Sequence, residues 1–296
     1  MKKTVFTGAA TAIITPMKND ASVDYDAFSK LIDWQIEQGI DAIVVAGTTG
    51  EGSTLSDEEH RAVVKFAVDK VAKRVPVIAG TGSNDIAYAI DLTKYSCDVG
   101  ADAMLVVTPY YNKATQGGLI KSFTAIADAS TKPIILYNVP SRTGCNLLPE
   151  TCAVLAEHEN IVAIKEASGN ISQIAKTAQL TQGKLDIYSG NDDQIVPVMS
   201  LGGKGVISVL SNLLPKETSQ MCHSYFNGEC EKSLQMQLDY LDLIDALFCE
   251  VNPIPVKAAM AKMGYGEDIL RLPLTSIEEA HKEKLFALMK KAGINI

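Results

Sequence analysis

Ile161-Val162-Ala163-Ile164-Lys165-Glu166-Ala167-Ser168-Gly169-Asn170 sets four apolar residues in front of a lysine and then turns polar. Apolar residues without a polar break are the pattern of a parallel strand covered on both faces. Here such a strand ends in Lys165 and leads into a helix. An ammonium group at the end of a buried strand is costly unless it is paired or neutral. Burial lowers a lysine pKa, and a neutral amine is a nucleophile that forms a Schiff base with a carbonyl. The competing expectation is that Lys165 carries its charge out to solvent on its flexible stem, as lysines commonly do.

Outward from this stretch, strand-like runs recur along the chain, each followed by a helical pattern. Strands are expected over 9–14, 41–46, 75–79, 103–107, 133–137, 162–165, 185–188 and 205–209. Helices are expected between them over 24–38, 56–72, 85–99, 117–129, 149–158, 171–180 and 194–200. Ser56 with Glu59 three residues on has the form of a capping box. Eight βα units predict a closed (β/α)8 TIM barrel. An open doubly wound sheet is the alternative, but the first turn, Thr15-Pro16-Met17, lacks the glycine pattern of that fold. Helical patterns over 216–226, 231–248, 255–263 and 277–291 add a C-terminal helical extension. The expected division is a catalytic barrel over 1–224 and a helical region over 225–296 packed on it.

Composition sets limits on function. The 296 residues are 47% hydrophobic and 21% charged, with a formal net charge of −8. That balance speaks against nucleic acid or an anionic membrane as the main partner. The apolar run Ala12-Ile13-Ile14 is soon broken by Thr15-Pro16, so no secretory signal is expected. No apolar run approaches a membrane span, and a cytoplasmic location is expected. The six cysteines form no C-x-x-C pair and the four histidines are scattered, so no metal site is expected and reduced thiols in or near the core are.

Active sites of this barrel sit at the C-terminal strand ends. Those ends read Gly47-Thr48-Thr49-Gly50-Glu51-Gly52, Thr108-Pro109-Tyr110-Tyr111-Asn112, Tyr137-Asn138-Val139-Pro140-Ser141-Arg142-Thr143-Gly144, Lys165 and Ser189-Gly190-Asn191-Asp192-Asp193. Each also has a plainer reading. The glycines around Thr48 and Thr49 suit a tight turn, and Gly202-Gly203-Lys204-Gly205 a turn before the last strand. The tyrosine pair suits aromatic packing and Arg142 a surface cation. Glu51 and Glu166 are expected to be acids at helix N-termini, favoured by the helix dipole. Taken together, the residues suit imine chemistry. Tyr137 and a threonine hydroxyl can relay protons, Thr48 and Thr49 can hold a small carboxylate, and Arg142 can pair with a second one.

These motifs resemble the dihydrodipicolinate synthase family of the pyruvate-dependent class I aldolases. The likeness runs from Gly8-Ala9-Ala10-Thr11-Ala12 through Asn252-Pro253-Ile254-Pro255-Val256-Lys257. It implies condensation of pyruvate with L-aspartate 4-semialdehyde to 4-hydroxy-tetrahydrodipicolinate, the first committed step toward diaminopimelate and lysine. It implies Lys165 as the imine-forming residue, Tyr137 as the central proton donor and acceptor, and Thr48 and Tyr111 as the rest of the relay. In the family that second tyrosine comes from a neighbouring subunit, so a homo-oligomer is implied, at least a dimer and typically a dimer of dimers. Thr49 would bind the pyruvate carboxylate and Arg142 that of the semialdehyde, with Gly190 and Ile207 lining the pocket. No metal or organic cofactor is implied. The alternatives are a pyruvate-type aldolase acting on sialic acid or keto-deoxy sugar acids, and a non-catalytic ligand sensor on the same barrel.

Many members of the family are inhibited by lysine bound between two subunits. Sensitive members offer a glutamate to the α-ammonium, with histidines nearby. Here Tyr88 stands at the glutamate position and Asp57 at one histidine position, while His60, Asn84 and Tyr110 match. The resemblance therefore implies a degenerate inhibitor site and weak or no response to lysine.

Overall fold

A computed structural model describes residues 2–296. Eight parallel strands alternate with helices and close on themselves in sequence order. The barrel runs β1 (Gly8–Ala12), α1 (Tyr25–Glu37), β2 (Ala42–Val45), α2 (Asp57–Val71), β3 (Val77–Gly80), α3 (Ile86–Asp98), β4 (Ala103–Val107) and α4 (Gln116–Asp128). It continues through β5 (Ile134–Asn138), a one-turn helix α5 (Pro140–Thr143), α6 (Pro149–Leu155), β6 (Ile161–Glu166), α7 (Ile171–Thr181), β7 (Asp186–Ser189), α8 (Ile195–Ser200) and β8 (Gly205–Ser208). The closing pair sets Gly8 beside Gly205 and Thr11 beside Ser208.

Although the strands are apolar almost throughout, they still alternate. Leu136 and Ile164 face the helices, in the outer core with Met104, Val106 and Val206. Their neighbours Tyr137 and Lys165 face inward; Tyr137 joins an interior packed with Ala10, Val44, Leu105, Ala163, Tyr188 and Ile207. Phe6 stacks on Tyr188 with ring centres 4.2 Å apart and closes the N-terminal end of the barrel. Any opening must therefore lie at the other end, where the polar residues are.

Helix boundaries follow from side-chain caps. Asp24 accepts from the amides of Asp26 and Ala27 and starts α1, whose buried face is Phe28, Leu31, Ile32 and Gln35. Ser56 and Glu59 form the expected capping box at α2. Three expectations need correction. The pattern over 231–248 is two helices, α10 (Cys230–Asp239) and α11 (Leu241–Leu247), broken at Tyr240. Glu166 is the last residue of β6, and α7 begins only at Ile171, so Glu166 is not a helix N-terminal acid. Nor is Glu51, which lies in the turn before α2 and is buried.

After β8, α9 (Pro215–Phe226) packs beside β1, and α10 lies along α9. The chain then passes through α11 to α12 (Ile254–Lys262) and ends in α13 (Glu279–Lys291). Residues Ile254 to Met260 of α12 are all buried, and the segment in front of it, ending in Asn252, reaches the barrel mouth. Among the described residues no helix is long and apolar enough to cross a membrane. Of the six free cysteines, four are buried, but Cys230 and Cys249 are exposed.

Candidate active site

A cavity of about 540 Å³ opens at the C-terminal end of the barrel. Its floor holds Lys165 and Tyr137, which are register partners on β6 and β5. Lys165 is 6% exposed and its Nζ lies 4.4 Å from the centre of the Tyr137 ring. The lysine does not snorkel out to solvent. Burial pulls its pKa down to about 8; Asp192 opposes that shift and Arg142 adds to it. At neutral pH roughly one such lysine in ten is therefore an uncharged amine, against fewer than one in a thousand for a free lysine. Tyr137 is pushed above the ordinary phenol range by burial, with the Arg142 charge and the Thr48 hydroxyl acting the other way. It stays protonated and can donate.

The strand ends are set from behind. One residue beyond Lys165 and Tyr137, Asn138 and Glu166 are also register partners and face outward. Asn138 Nδ2 donates to both oxygens of Glu166 at 3.1 and 3.2 Å, and the amide of Ser168 donates to Glu166 at 2.8 Å. Asn138 Oδ1 accepts from the amide of Leu147 at 2.9 Å, which fixes the loop after α5. Gly190 follows β7 beside the lysine: a Cβ there would meet that of Ala167 at 2.7 Å and Lys165 Cε at 3.1 Å. Only glycine lets β7 approach the amine this closely.

The walls carry groups whose chemistry suits carboxylates. Thr48 and Thr49 come from the turn after β2, where the Thr15 hydroxyl donates to the carbonyl of Gly50 at 2.7 Å. Arg142 stands on α5, which begins with Pro140 and closes at Gly144 in a left-handed conformation, φ +66°. Its Nη2 donates to the carbonyl of Asn252 at 3.3 Å, so Arg142 is an exposed residue tethered at the cavity mouth. Beneath the threonine turn, Glu51 pairs with Lys257 of α12 at 2.5 Å, and both side chains are fully buried. The Arg271 amide donates to the other oxygen of Glu51 at 3.1 Å.

Several of the residues singled out from the sequence meet in this cavity: Thr48, Thr49, Tyr137, Arg142, Lys165 and Gly190, with His60, Tyr88 and Tyr110 further along the same wall. Ile207 sits deeper, in the barrel interior, and Val209 lines the cavity above it. Tyr111 is elsewhere. It is 91% exposed at a positive φ of 72°, and does not pack as an aromatic pair with Tyr110. Asp57 is bound by Arg61 at 2.9 and 3.0 Å, and the carbonyl of Asn84 accepts from Asn112 at 2.9 Å. Among the described residues no group of three or more His, Cys, Asp or Glu could hold a metal ion.

Three site residues were missed from the sequence. Lys257 lies in α12 and Asn252 just before it, both far from any strand end, and no spacing rule ties them to the barrel. Asp192 follows β7, and nothing in its spacing marks a role. Buried beside β8, its Oδ2 accepts from the amides of Val209 and Leu210 at 2.9 Å each, and its charge acts on Lys165.

Known proteins resemble this chain over nearly its whole length. Residues 5–292 match the model of the dihydrodipicolinate synthetase family. The chain is 56% identical over 291 residues to the 4-hydroxy-tetrahydrodipicolinate synthase of Lachnoclostridium phytofermentans, covering 98% of this chain and 99% of that one. It superposes with a TM-score of 0.96 and 46% identity on the dihydrodipicolinate synthase of Acinetobacter baumannii complexed with pyruvate, covering 99% and 100% of the two chains. The corresponding protein of Cyanidioschyzon merolae with lysine bound gives a TM-score of 0.96 at 42% identity, covering 99% and 100%.

Proposed function

The chain belongs to the dihydrodipicolinate synthetase family, and we propose that its barrel mouth carries out that family's chemistry through an imine on Lys165. It is an enzyme of lysine biosynthesis that condenses pyruvate with aspartate semialdehyde to 4-hydroxy-tetrahydrodipicolinate. The sugar-acid aldolase and the silent sensor give way to that assignment.

The observation that carries the mechanism is the buried lysine over the tyrosine ring, where burial pulls the amine's pKa down to about 8. The neutral Lys165 amine attacks the pyruvate carbonyl. The developing oxyanion takes the Tyr137 proton, and a second proton carries the hydroxyl away as water. Loss of a methyl proton from the imine gives an enamine, which adds to the aldehyde carbon of the semialdehyde. The semialdehyde's own amine then attacks the imine carbon, closes the ring and releases Lys165. One water is lost overall. Thr48 links Tyr137 to the cavity, Thr49 holds the pyruvate carboxylate, and Arg142 holds that of the semialdehyde.

Tyr111 completes the relay in a second copy of the chain. Its exposure supports that reading, since a phenol outside its own cavity can serve only another. The working unit is then at least a dimer, and a dimer of dimers by family resemblance. Six unpaired thiols favour a cytoplasmic setting. The test is borohydride reduction with pyruvate present. Inactivation with a single adduct on Lys165 is expected, and an adduct on another lysine would overturn the mechanism.

A further inference from the structure

One residue outside the barrel touches both groups assigned to carboxylates. Asn252, in the segment before α12, sends its Nδ2 to Thr49 Oγ1 at 3.0 Å, and its backbone carbonyl accepts from Arg142 at 3.3 Å. It is buried at the cavity wall, and no group among the described residues donates to its Oδ1. The side chain's one hydrogen bond is therefore the one to Thr49.

That bond has a direction. A threonine hydroxyl has one proton and two acceptor lone pairs. With Asn252 donating into a lone pair, the Thr49 proton is left free to point elsewhere, and the cavity is where an acceptor will be. We propose that Asn252 is a positioning residue for pyruvate: by donating to Thr49 it holds that hydroxyl as a donor to the pyruvate carboxylate. Through its main chain it also braces Arg142, but that contact does not depend on the side chain. The proposal rests on the assignment of Thr49 to pyruvate made above.

The two contacts separate by substitution. Asn252→Ala removes the donor to Thr49 and keeps the carbonyl that Arg142 uses. A neutral hydrogen bond is worth about 0.5–1.5 kcal/mol, or roughly a 2- to 12-fold change in binding. The pyruvate concentration for half-maximal borohydride inactivation should rise by that factor, while the KM for the semialdehyde stays within about twofold. Asn252→Asp offers only acceptors, so it draws the Thr49 proton away from the substrate and repels the pyruvate anion. It should be the worse of the two for pyruvate.

The deciding measurement is a cycle with Thr49→Val, read by the same pyruvate titration. If Asn252 acts through the hydroxyl, adding Asn252→Ala to Thr49→Val changes nothing further. Additive losses, or equal losses for both substrates in Asn252→Ala, would mean that the residue only supports the fold there, and the proposal falls. Full pyruvate binding by Thr49→Val would instead overturn the assignment of Thr49, with the Asn252 effect still measured separately. If Asn252→Ala does not fold, Asn252→Ser against Thr49→Val gives the same cycle without a new charge, and wild-type pyruvate binding in Asn252→Asp overturns the proposal.

Discussion

Lys165 and Tyr137 face each other across neighbouring strands, with the amine 4.4 Å from the centre of the phenol ring. Burial lowers the one pKa and raises the other, so the amine is more readily neutral than a free lysine while the phenol stays protonated. Because Lys165 must be uncharged to attack, the rate of imine formation with pyruvate should rise with pH and level off above about 8. A profile still climbing toward 10 would show an ordinary lysine. Lys165→Arg should lose nearly all activity, since a guanidinium remains charged and cannot form the imine.

On the proposed mechanism Arg142 selects the second substrate. It lines the cavity and donates to a neutral carbonyl, that of Asn252. Arg142→Ala should lower kcat/KM for the semialdehyde by roughly 30- to 1000-fold, the equivalent of about 2–4 kcal/mol of a lost charge-assisted contact. Pyruvate trapping by borohydride should change far less. Steady-state kinetics with each substrate varied in turn checks both halves.

The βα rhythm made the barrel legible, because strand and helix periods differ and each unit repeats them. Lys165, Tyr137, Thr48, Thr49 and Arg142 were legible for a related reason: strand ends of a parallel barrel share one mouth. Glu51 and Glu166 are not legible, because a carboxylate a few residues before a helical pattern looks like a dipole partner. Their true partners, Lys257 and Asn138, are 206 and 28 residues away. Asn252 was invisible for the same reason, since its contacts run from the C-terminal helices to the mouth. The break at Tyr240 carries no glycine or proline to announce it.

The Glu51–Lys257 pair anchors the threonine turn to α12, and its burial makes it fragile to single changes. Burial lowers the Lys257 pKa while Glu51 opposes the shift. Lys257→Met leaves an uncompensated carboxylate in the core and should cost about 3–5 kcal/mol of stability. Adding Glu51→Gln removes that charge, and the double variant should recover part of the loss. Denaturant melts of the three proteins read this out. A double variant less stable than Lys257→Met would mean that the pair's value is not electrostatic.

Tyr111 should act across a subunit boundary. Tyr111→Phe and Lys165→Ala should each be nearly inactive alone, because one lacks the relay phenol and the other the nucleophile. Hybrids made by mixing and subunit exchange contain sites with both. Partial recovery of activity is expected, and none after exchange confirmed by mass would place the phenol in its own subunit's site.

Lysine should inhibit this enzyme weakly or not at all. Where the family resemblance places a carboxylate for the ligand's α-ammonium, this chain has Tyr88, whose phenol is pushed up to about 12 by burial and by its hydrogen bond to Asp57. Asp57 is the one nearby acid that could stand in, but its carboxylate is gripped by Arg61, which also binds Asp91 at 2.5 Å. His60, whose pKa is lowered by burial, bonds the Gly80 carbonyl at 2.8 Å and supplies no negative charge. A lysine entering this cleft would leave its α-ammonium unpaired, which is costly away from water. Initial rates at fixed subsaturating pyruvate should hold nearly constant as lysine is raised through the millimolar range. Tyr88→Glu should create the missing partner and bring sensitivity with it. Half-inhibition of the unaltered enzyme at submillimolar lysine would show that the phenol suffices.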